Sequence, residues 1–189
     1  MKFFTSKYFS LSDEELIECF KKEDKKAFDE IYRRYHSKLL KFFYRMLSGD
    51  YDQSKDLTQE VFIKVFFKKY TFDSSKSFST WIYKIATNIC FNEFRRIKVQ
   101  TQSFYRINYQ PDLVDNDQEM DNEMINSDVN KYLEELDYEH RTCLLLRYND
   151  ELSVKEIAEI MNCPEGTVKS RLYYTIKYLS ERLKKYKDI

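Results

Sequence analysis

The sequence contains very little glycine and proline, only two of each in 189 residues. β-Sandwiches and β-barrels need turn residues roughly every 8–12 positions, so this scarcity argues against both classes. Glycine-rich phosphate-binding loops are excluded as well, because Gly49 and Gly166 lie far apart in the chain. Charged residues make up 34% of the sequence. We therefore predict a soluble all-α protein with well-solvated helix faces.

Metal-binding patterns and long apolar runs are also missing. The four cysteines are dispersed and form no CxxC pair: Cys19, Cys90, Cys143 and Cys163. This spacing predicts reduced thiols rather than a zinc site, and we expect neither a metal nor a cofactor. The first ten residues lack the apolar run of a signal peptide, and no segment is long enough to cross a membrane. We expect no membrane insertion and a cytoplasmic location.

The net charge of zero conceals three blocks of different charge. Residues 1–100 hold 20 basic and 14 acidic residues, whereas residues 101–130 hold one basic and seven acidic residues. The remaining residues, 131–189, hold 11 of each sign. Such blocks indicate two bodies joined by an acidic connector. We therefore predict two small helical domains, 1–98 and 128–189, joined by a flexible acidic linker, 99–127.

The C-terminal region carries two consecutive signals for the start of a helix. Ser153 and Glu156 have the spacing of a capping box, which opens a short helix. Pro164 suits the first position of the longer helix that follows. A short helix, a tight turn and a longer helix form the layout of a helix-turn-helix motif.

The longer helix has an apolar stripe and an opposite polar face when its residues are placed at about 100° intervals. The stripe predicts these core residues: Val168, Leu172, Ile176, Leu179 and Leu183. The polar face comprises Thr167, Ser170, Tyr174 and Lys177, with Arg171 and Tyr173 beside it and Lys169 nearer the core edge. Such side chains can bind bases and phosphates in the major groove. An ordinary solvated helix is the alternative, but the whole Ser153–Arg171 string favours DNA binding.

A helix predicted near residues 78–98 carries a second stripe beside its apolar face: Trp81, Lys84, Asn88, Phe91 and Arg95. These positions fall within an arc of about 80°. Aromatic rings can stack on unpaired bases, cations can bind phosphates, and an amide can contact a base edge. The stripe therefore predicts binding of single-stranded DNA. The alternative is that Trp81 and Phe91 simply pack against a neighbouring helix.

Three strings together resemble one known family, the bacterial ECF sigma factors of the sigma-70 family. They are DLTQEVFIKVF at Asp56–Phe66, FSTWIYKIATNICFNEFRR at Phe78–Arg96 and SVKEIAEIMNCPEGTVKSRL at Ser153–Leu172. The resemblance implies a non-catalytic subunit that directs core RNA polymerase to promoters. It implies that the N-terminal domain holds the melted −10 strand and that the C-terminal domain binds the −35 duplex.

The resemblance also implies roles for individual residues. The −10 set adds the specificity loop to the stripe described above: Phe72, Asp73, Ser74 and Lys76. The −35 set coincides with the polar face of the longer helix: Thr167, Lys169, Ser170, Arg171, Tyr173, Tyr174 and Lys177. The core polymerase set lies on the helix before the loop: Asp56, Leu57, Gln59, Glu60, Ile63 and Lys64. Expected partners are promoter DNA, the β′ clamp helices and β flap of the polymerase, and an anti-sigma factor.

Two other functional classes stay open at the level of sequence. A stand-alone helix-turn-helix repressor would explain residues 153–179 but would leave the stripe at 81–95 without a role. A nucleic-acid-processing enzyme has no supporting carboxylate cluster or nucleophile–base pair. The acidic segment 101–130 also permits two interpretations. It is either a plain tether or a phosphate mimic that occupies the nucleic-acid cleft of the polymerase.

Overall fold

The structure, a computed structural model, describes residues 7–103, 129 and 131–184, with side chains from 98 to 103 left out. The N-terminal unit begins with a short 3-10 helix and contains four α-helices: α1 (Asp13–Lys21), α2 (Lys25–Met46), α3 (Tyr51–Lys68) and α4 (Phe78–Ser103). The C-terminal unit contains a helical turn at 131–134 and three further helices: α5 (Tyr138–Tyr148), α6 (Val154–Met161) and α7 (Glu165–Arg182). Every regular element in these described ranges is helical, which confirms the predicted all-α class.

Polar caps fix the starts of two helices, α1 and α6, and the cap before α6 lies at the predicted position. The Ser12 hydroxyl accepts a hydrogen bond from the Glu15 N–H at 3.1 Å, and the Glu15 carboxylate accepts from the Ser12 N–H at 2.7 Å. The same reciprocal pair joins Ser153 and Glu156 before α6. Each capping box satisfies amide donors that a helix start would otherwise leave unpaired. One boundary differs by a residue, because Pro164 caps α7 from outside instead of occupying its first turn.

A bend with a left-handed backbone separates α2 from α3. Gly49 adopts φ +91°, and its N–H donates to the Tyr44 carbonyl at 2.9 Å. A residue without a side chain reaches this conformation at little steric cost. The bend lets α3 turn back against α2.

The N-terminal unit is built around large apolar side chains from α1 to α4. Fully buried members are Leu16, Phe20, Ile31, Leu39, Phe42, Phe43, Val61, Val65, Ile82 and Tyr83. These positions recur at the three- and four-residue spacing of one helix face, which is why their sequence pattern predicts amphipathic helices. The C-terminal unit has a smaller core centred on Leu146, Ile157, Val168 and Leu172.

Two details of the predicted helices need correction. Helix α4 continues through Ser103, beyond the predicted helix end near residue 98, and no proline or glycine interrupts residues 99–103. The rest of the predicted linker lies outside the described residues. In α7 the predicted core position Ile176 is 42% exposed and Thr175 is 1% exposed. The buried residues of α7 are Val168, Leu172 and Thr175, so the buried arc is rotated away from Ile176. The Thr175 hydroxyl donates to the Arg171 carbonyl at 2.7 Å.

The two helical units pack directly against each other. Helix α4 contacts α6, and α2 contacts α5. The Arg141 guanidinium, which is buried, donates to the Met46 carbonyl at 2.8 Å, and the Tyr138 hydroxyl donates to the Thr87 carbonyl at 2.7 Å. The C-terminal unit is thereby anchored to the end of α2 and to the middle of α4. Among the described helices, none is long and apolar enough to cross a membrane.

Candidate nucleic-acid interface

The stripe predicted on α4 lies largely on the surface of the protein. Lys84, Asn88 and Arg95 are exposed, and Phe91 is 41% exposed. The guanidinium carbon of Arg95 is 5.8 Å from the centre of the Phe91 ring, a distance typical of a cation–π contact. The stripe therefore presents two cations, an amide and an aromatic ring along one line of the helix.

Trp81, at the start of the stripe, serves a structural purpose as well. Its side chain is half-buried, and its ring centre lies 5.3 Å from that of Phe72 and 5.7 Å from that of Phe78. Tilted aromatic pairs at such distances stabilise a fold beyond the area they bury. The packing alternative therefore holds for part of the Trp81 ring, while the remaining surface stays accessible to a ligand.

The predicted specificity loop divides into a buried anchor and an exposed turn. Phe72 is only 3% exposed, so this member of the predicted −10 set lies in the core in this arrangement. Its carbonyl accepts a hydrogen bond from the Lys21 ammonium at 2.8 Å. A buried aromatic side chain next to polar residues can anchor a loop to the core. The polar sequence around Phe72 does not predict this burial.

The exposed part of this loop is held by a carboxylate. Asp73 accepts from the Ser75 N–H at 3.0 Å and from the Ser75 hydroxyl at 2.8 Å. These hydrogen bonds hold the pKa of Asp73 below its usual value, with smaller contributions from Lys76 and Lys21. Ser74 and Lys76 are exposed. The turn is therefore ordered by its own polar groups and offers one lysine ammonium at its tip.

The polar face of α7 is open to solvent as the helical spacing predicts. Lys169, Ser170 and Lys177 are exposed, and Thr167 is half-buried. The remaining aromatic members, Tyr173 and Tyr174, are 63% and 60% exposed, with ring centres 5.4 Å apart. Such a face can enter a major groove, where hydroxyls and cations bind bases and phosphates.

Arg171 differs from its neighbours on α7. Its side chain is half-buried, and its guanidinium lies 3.8 Å from the thiol sulfur of Cys163 in the preceding turn. The contact holds the guanidinium at the edge of the polar face. Arg171 is therefore positioned by the turn before it contacts any ligand.

The residues predicted to bind the polymerase line one side of α3. Asp56 and Gln59 are exposed, Leu57 is half-buried, and Ile63 is 55% exposed. Glu60 and Lys64 form an ion pair at 2.7 Å. Ile63 is a large apolar side chain on a solvent-exposed helix face. Exposed apolar residues that adjoin one another are typical of binding surfaces.

Three aromatic residues extend this surface and were not part of the predicted set. Phe67 and Tyr70 are 77% and 64% exposed, and Phe66 is 43% exposed. The Phe66 ring still contacts the Phe20 ring, with centres 5.5 Å apart. Ile63, Phe67 and Tyr70 are four and three residues apart in the sequence. This helical spacing is the signal from which an exposed apolar surface could have been predicted.

Comparison with known proteins decides between the functional classes. Residues 31–99 match the family model Sigma-70 region 2, and residues 128–179 match Sigma-70, region 4. The ECF RNA polymerase sigma factor SigW of Bacillus subtilis is 34% identical over 179 residues, which cover 89% of this chain and 95% of that protein. The chain belongs to the ECF sigma factors of the sigma-70 family.

Other relatives of this sigma factor agree with the assignment. The ECF RNA polymerase sigma-E factor of Escherichia coli K12 is 33% identical over 174 residues, covering 86% of this chain and 90% of that protein. The RNA polymerase sigma-H factor of Pseudomonas aeruginosa is 31% identical over 171 residues, covering 85% and 88%. As a sigma factor, the chain binds core RNA polymerase and promoter DNA, directs transcription initiation and is not an enzyme.

Solved structures show the same fold. RpoE of Bartonella quintana, in complex with the anti-sigma factor NepR, has a TM-score of 0.73 at 24% identity, covering 84% of this chain and 98% of that chain. CnrH, in complex with the cytosolic domain of CnrY, has a TM-score of 0.71 at 19% identity, covering 91% and 97%. The arrangement of helices in this sigma factor is thus shared with both.

Proposed function

We propose that the sigma factor divides promoter recognition between its two helical units, with α4 holding the melted −10 strand and α7 binding the −35 duplex. The observation that supports this division most is the stripe of α4, on which Lys84, Asn88 and Arg95 are exposed beside Phe91. Unpaired bases stack on aromatic rings while cations bind the phosphates between them. The loop tip contributes Lys76 to the same strand.

For the −35 element, α7 offers both kinds of contact that a recognition helix needs. Lys169 and Lys177 are exposed and suited to phosphates, which position the protein on the duplex. We assign base-edge contacts to Arg171, Ser170 and Tyr174. The two exposed tyrosines favour contacts with thymine methyl groups and with phosphates over a second bidentate guanine contact.

The exposed surface of α3 is the proposed docking site for the β′ clamp helices. Its centre is apolar, with Ile63 and Phe67, and its rim carries Asp56, Gln59 and the Glu60–Lys64 ion pair. An apolar centre with a polar rim is the usual organisation of a protein interface. We assign the β flap contact to the C-terminal unit, and we retain 1–98, 99–127 and 128–189 as the functional divisions of the chain.

We propose that an anti-sigma factor regulates this chain, as NepR forms a complex with RpoE, which has the same fold. Because core RNA polymerase is a cytoplasmic enzyme, we propose that the sigma factor acts in the cytoplasm. The acidic segment 101–130 is proposed to enter the nucleic-acid cleft of the polymerase. It holds seven acidic residues and one basic residue, so its charge resembles that of a phosphate backbone.

Run-off transcription with core polymerase and a library of promoters tests this function directly. The sigma factor should select promoters that share two elements, and Asn88→Ala or Lys84→Ala should reduce open-complex formation at all of them. Lys41→Ala is the matched control, because Lys41 is also an exposed lysine on a helix but lies on α2. Equal losses for Lys84→Ala and Lys41→Ala would refute the assignment of α4 to the −10 strand.

A further inference from the structure

A buried lysine lies behind the exposed surface of α3. Lys69 belongs to the short 3-10 helix Lys69–Thr71 that follows α3, and it is only 3% exposed. Its ammonium lies 4.2 Å from the centre of the Phe20 ring, 5.3 Å from that of Phe66 and 5.1 Å from that of Tyr70. All three distances are typical of cation–π contacts. Phe20 is a core residue, whereas Phe66 and Tyr70 are exposed. One cation therefore joins the core to two rings of the surface.

The same ammonium is paired with a carboxylate in the turn between α1 and α2. The Lys69 ammonium donates to Glu23 Oε1 at 2.7 Å, and the Tyr70 hydroxyl donates to the same oxygen at 2.6 Å. These hydrogen bonds, that of Lys69 first, hold the pKa of Glu23 below its usual value of 4.5, so the carboxylate is ionised at neutral pH. Tyr70 is therefore held at two points, by Glu23 at its hydroxyl and by Lys69 at its ring.

The backbone of the turn brings this carboxylate to the lysine. Glu23 adopts φ +64°, a left-handed conformation that is uncommon for residues other than glycine. Its N–H donates to the Phe20 carbonyl at the end of α1 at 3.0 Å. The side chain of Glu23 is 68% exposed, whereas that of Lys69 is 4% exposed. The turn thus supplies the counter-ion of a buried cation from the protein surface.

Packing alone does not require a cation at position 69. A buried ammonium is stable only when it is paired, and an apolar side chain of similar volume is often an equally stable replacement. An apolar side chain, however, could not donate a hydrogen bond to Glu23 or be attracted to the aromatic rings as a cation is. What the cation adds is a fixed orientation for Phe66 and Tyr70.

We propose that Lys69 is a positioning residue for polymerase binding, whose ammonium holds the Phe66 and Tyr70 rings in the orientation that contacts the core enzyme. The proposal rests on the docking function assigned to α3 above. Side chains that rotate freely lose this freedom when they enter an interface, and a surface that is already ordered avoids the cost. Because Lys69 is buried, it acts through the two rings and not by touching the polymerase.

Titration of the full chain against core RNA polymerase tests the role of the cation. Lys69→Met removes the charge and keeps an unbranched side chain that packs well against aromatic rings. It should raise the dissociation constant by about five- to tenfold, because two rings must then be ordered on binding. Lys68→Met is the matched control, since Lys68 is the preceding residue, is exposed and carries the same charge. Equal affinities of the two variants would overturn the proposal.

A double-mutant cycle separates positioning from a general effect on the fold. The background Phe66→Leu with Tyr70→Ala lacks both rings, while leucine keeps an apolar contact with the core. In this background Lys69→Met should change the dissociation constant by less than about twofold, because no ring remains to be held. Loss of the effect in this background supports the proposal. The same factor in both backgrounds would show that Lys69 acts on the fold as a whole, and would overturn it.

A second variant tests the same arrangement from the protein surface, in case Lys69→Met does not fold. Glu23→Gln keeps an oxygen that can accept a hydrogen bond but removes the ion pair with Lys69. It should bind core polymerase about two- to threefold more weakly than Asp29→Asn, an exposed position on α2 that loses the same charge. Circular dichroism melts verify that each variant is folded at the temperature of the titration. Equal binding of Glu23→Gln and Asp29→Asn would contradict the proposal.

Two further variants distinguish failure of this proposal from failure of the docking assignment. Ile63→Ala and Phe67→Ala remove side chains of α3 that do not contact the Lys69 ammonium in the described structure. If both weaken core binding and Lys69→Met does not, the docking assignment stands and the positioning role is refuted. If neither weakens core binding, α3 is not the docking surface, and the role of Lys69 is refuted with it.

Discussion

Replacing Trp81 by alanine should reduce both the stability of the fold and the affinity for the −10 strand. The two effects have different causes, loss of packing and loss of base stacking, and can be measured separately. Removing a fully buried tryptophan costs about 3–5 kcal/mol. Trp81 is half-buried and keeps two aromatic neighbours, Phe72 and Phe78, so we expect a loss of about 2 kcal/mol. For a chain of this length that loss lowers the melting temperature by about 4–8 °C.

Loss of stacking on a base should add a separate effect on affinity. Stacking contributes about 1–3 kcal/mol per base, so Trp81→Ala should weaken strand binding by about 5- to 150-fold at a temperature where the variant stays folded. Trp81→Phe is the matched variant, since a smaller ring preserves part of both contacts. Thermal melts followed by circular dichroism, with strand binding followed by anisotropy, measure the two effects. An unchanged melting temperature would refute the packing argument, and unchanged affinity would refute the stacking argument.

Five further outcomes follow from the described contacts. Phe67→Ala should weaken binding to core polymerase in a titration but leave the melting temperature nearly unchanged, because the ring is 77% exposed. Lys169→Ala should weaken duplex binding uniformly and lower the salt slope by about 1, whereas Tyr174→Ala should relax preference at particular −35 positions. Ser153→Ala should destabilise the C-terminal unit by about 1 kcal/mol in urea unfolding, because it removes a capping box. Arg33 and Arg34 lower the pKa of Glu30 to about 2. The stability that ionised Glu30 contributes is therefore lost as the pH falls below about 4.5. Glu30→Gln should reduce this loss when the free energy of unfolding is measured against pH.

Local signals in the sequence predicted the helices of this sigma factor well. Each capping box, at Ser12 and at Ser153, needs only two residues that are three positions apart in the sequence, and the structure contains both boxes. The apolar spacing in α2 and the open polar face of α7 are likewise properties of a single helix. Features that span one or two helical turns can therefore be predicted from the amino-acid pattern alone.

Contacts between distant parts of the chain were not predictable in the same way. Phe72 stands in a polar run, and only its packing on Phe78 and Trp81 makes it a core residue. Ile176 is exposed because the buried arc of α7, formed by Val168, Leu172 and Thr175, is rotated away from it. The packing of the C-terminal unit against α4 depends on residues far apart in sequence, which no local periodicity predicts.

The position of Phe91 has a consequence for how affinities of this protein are to be understood. Tyr138 contacts one side of the Phe91 ring, so a base that stacks on that side binds only molecules in which the contact is broken. For such an equilibrium the observed dissociation constant equals the intrinsic constant divided by the competent fraction. With one molecule in a hundred competent, the observed constant would be about a hundredfold larger than the intrinsic one. A substitution far from DNA can therefore change apparent affinity without altering any contact to a nucleotide.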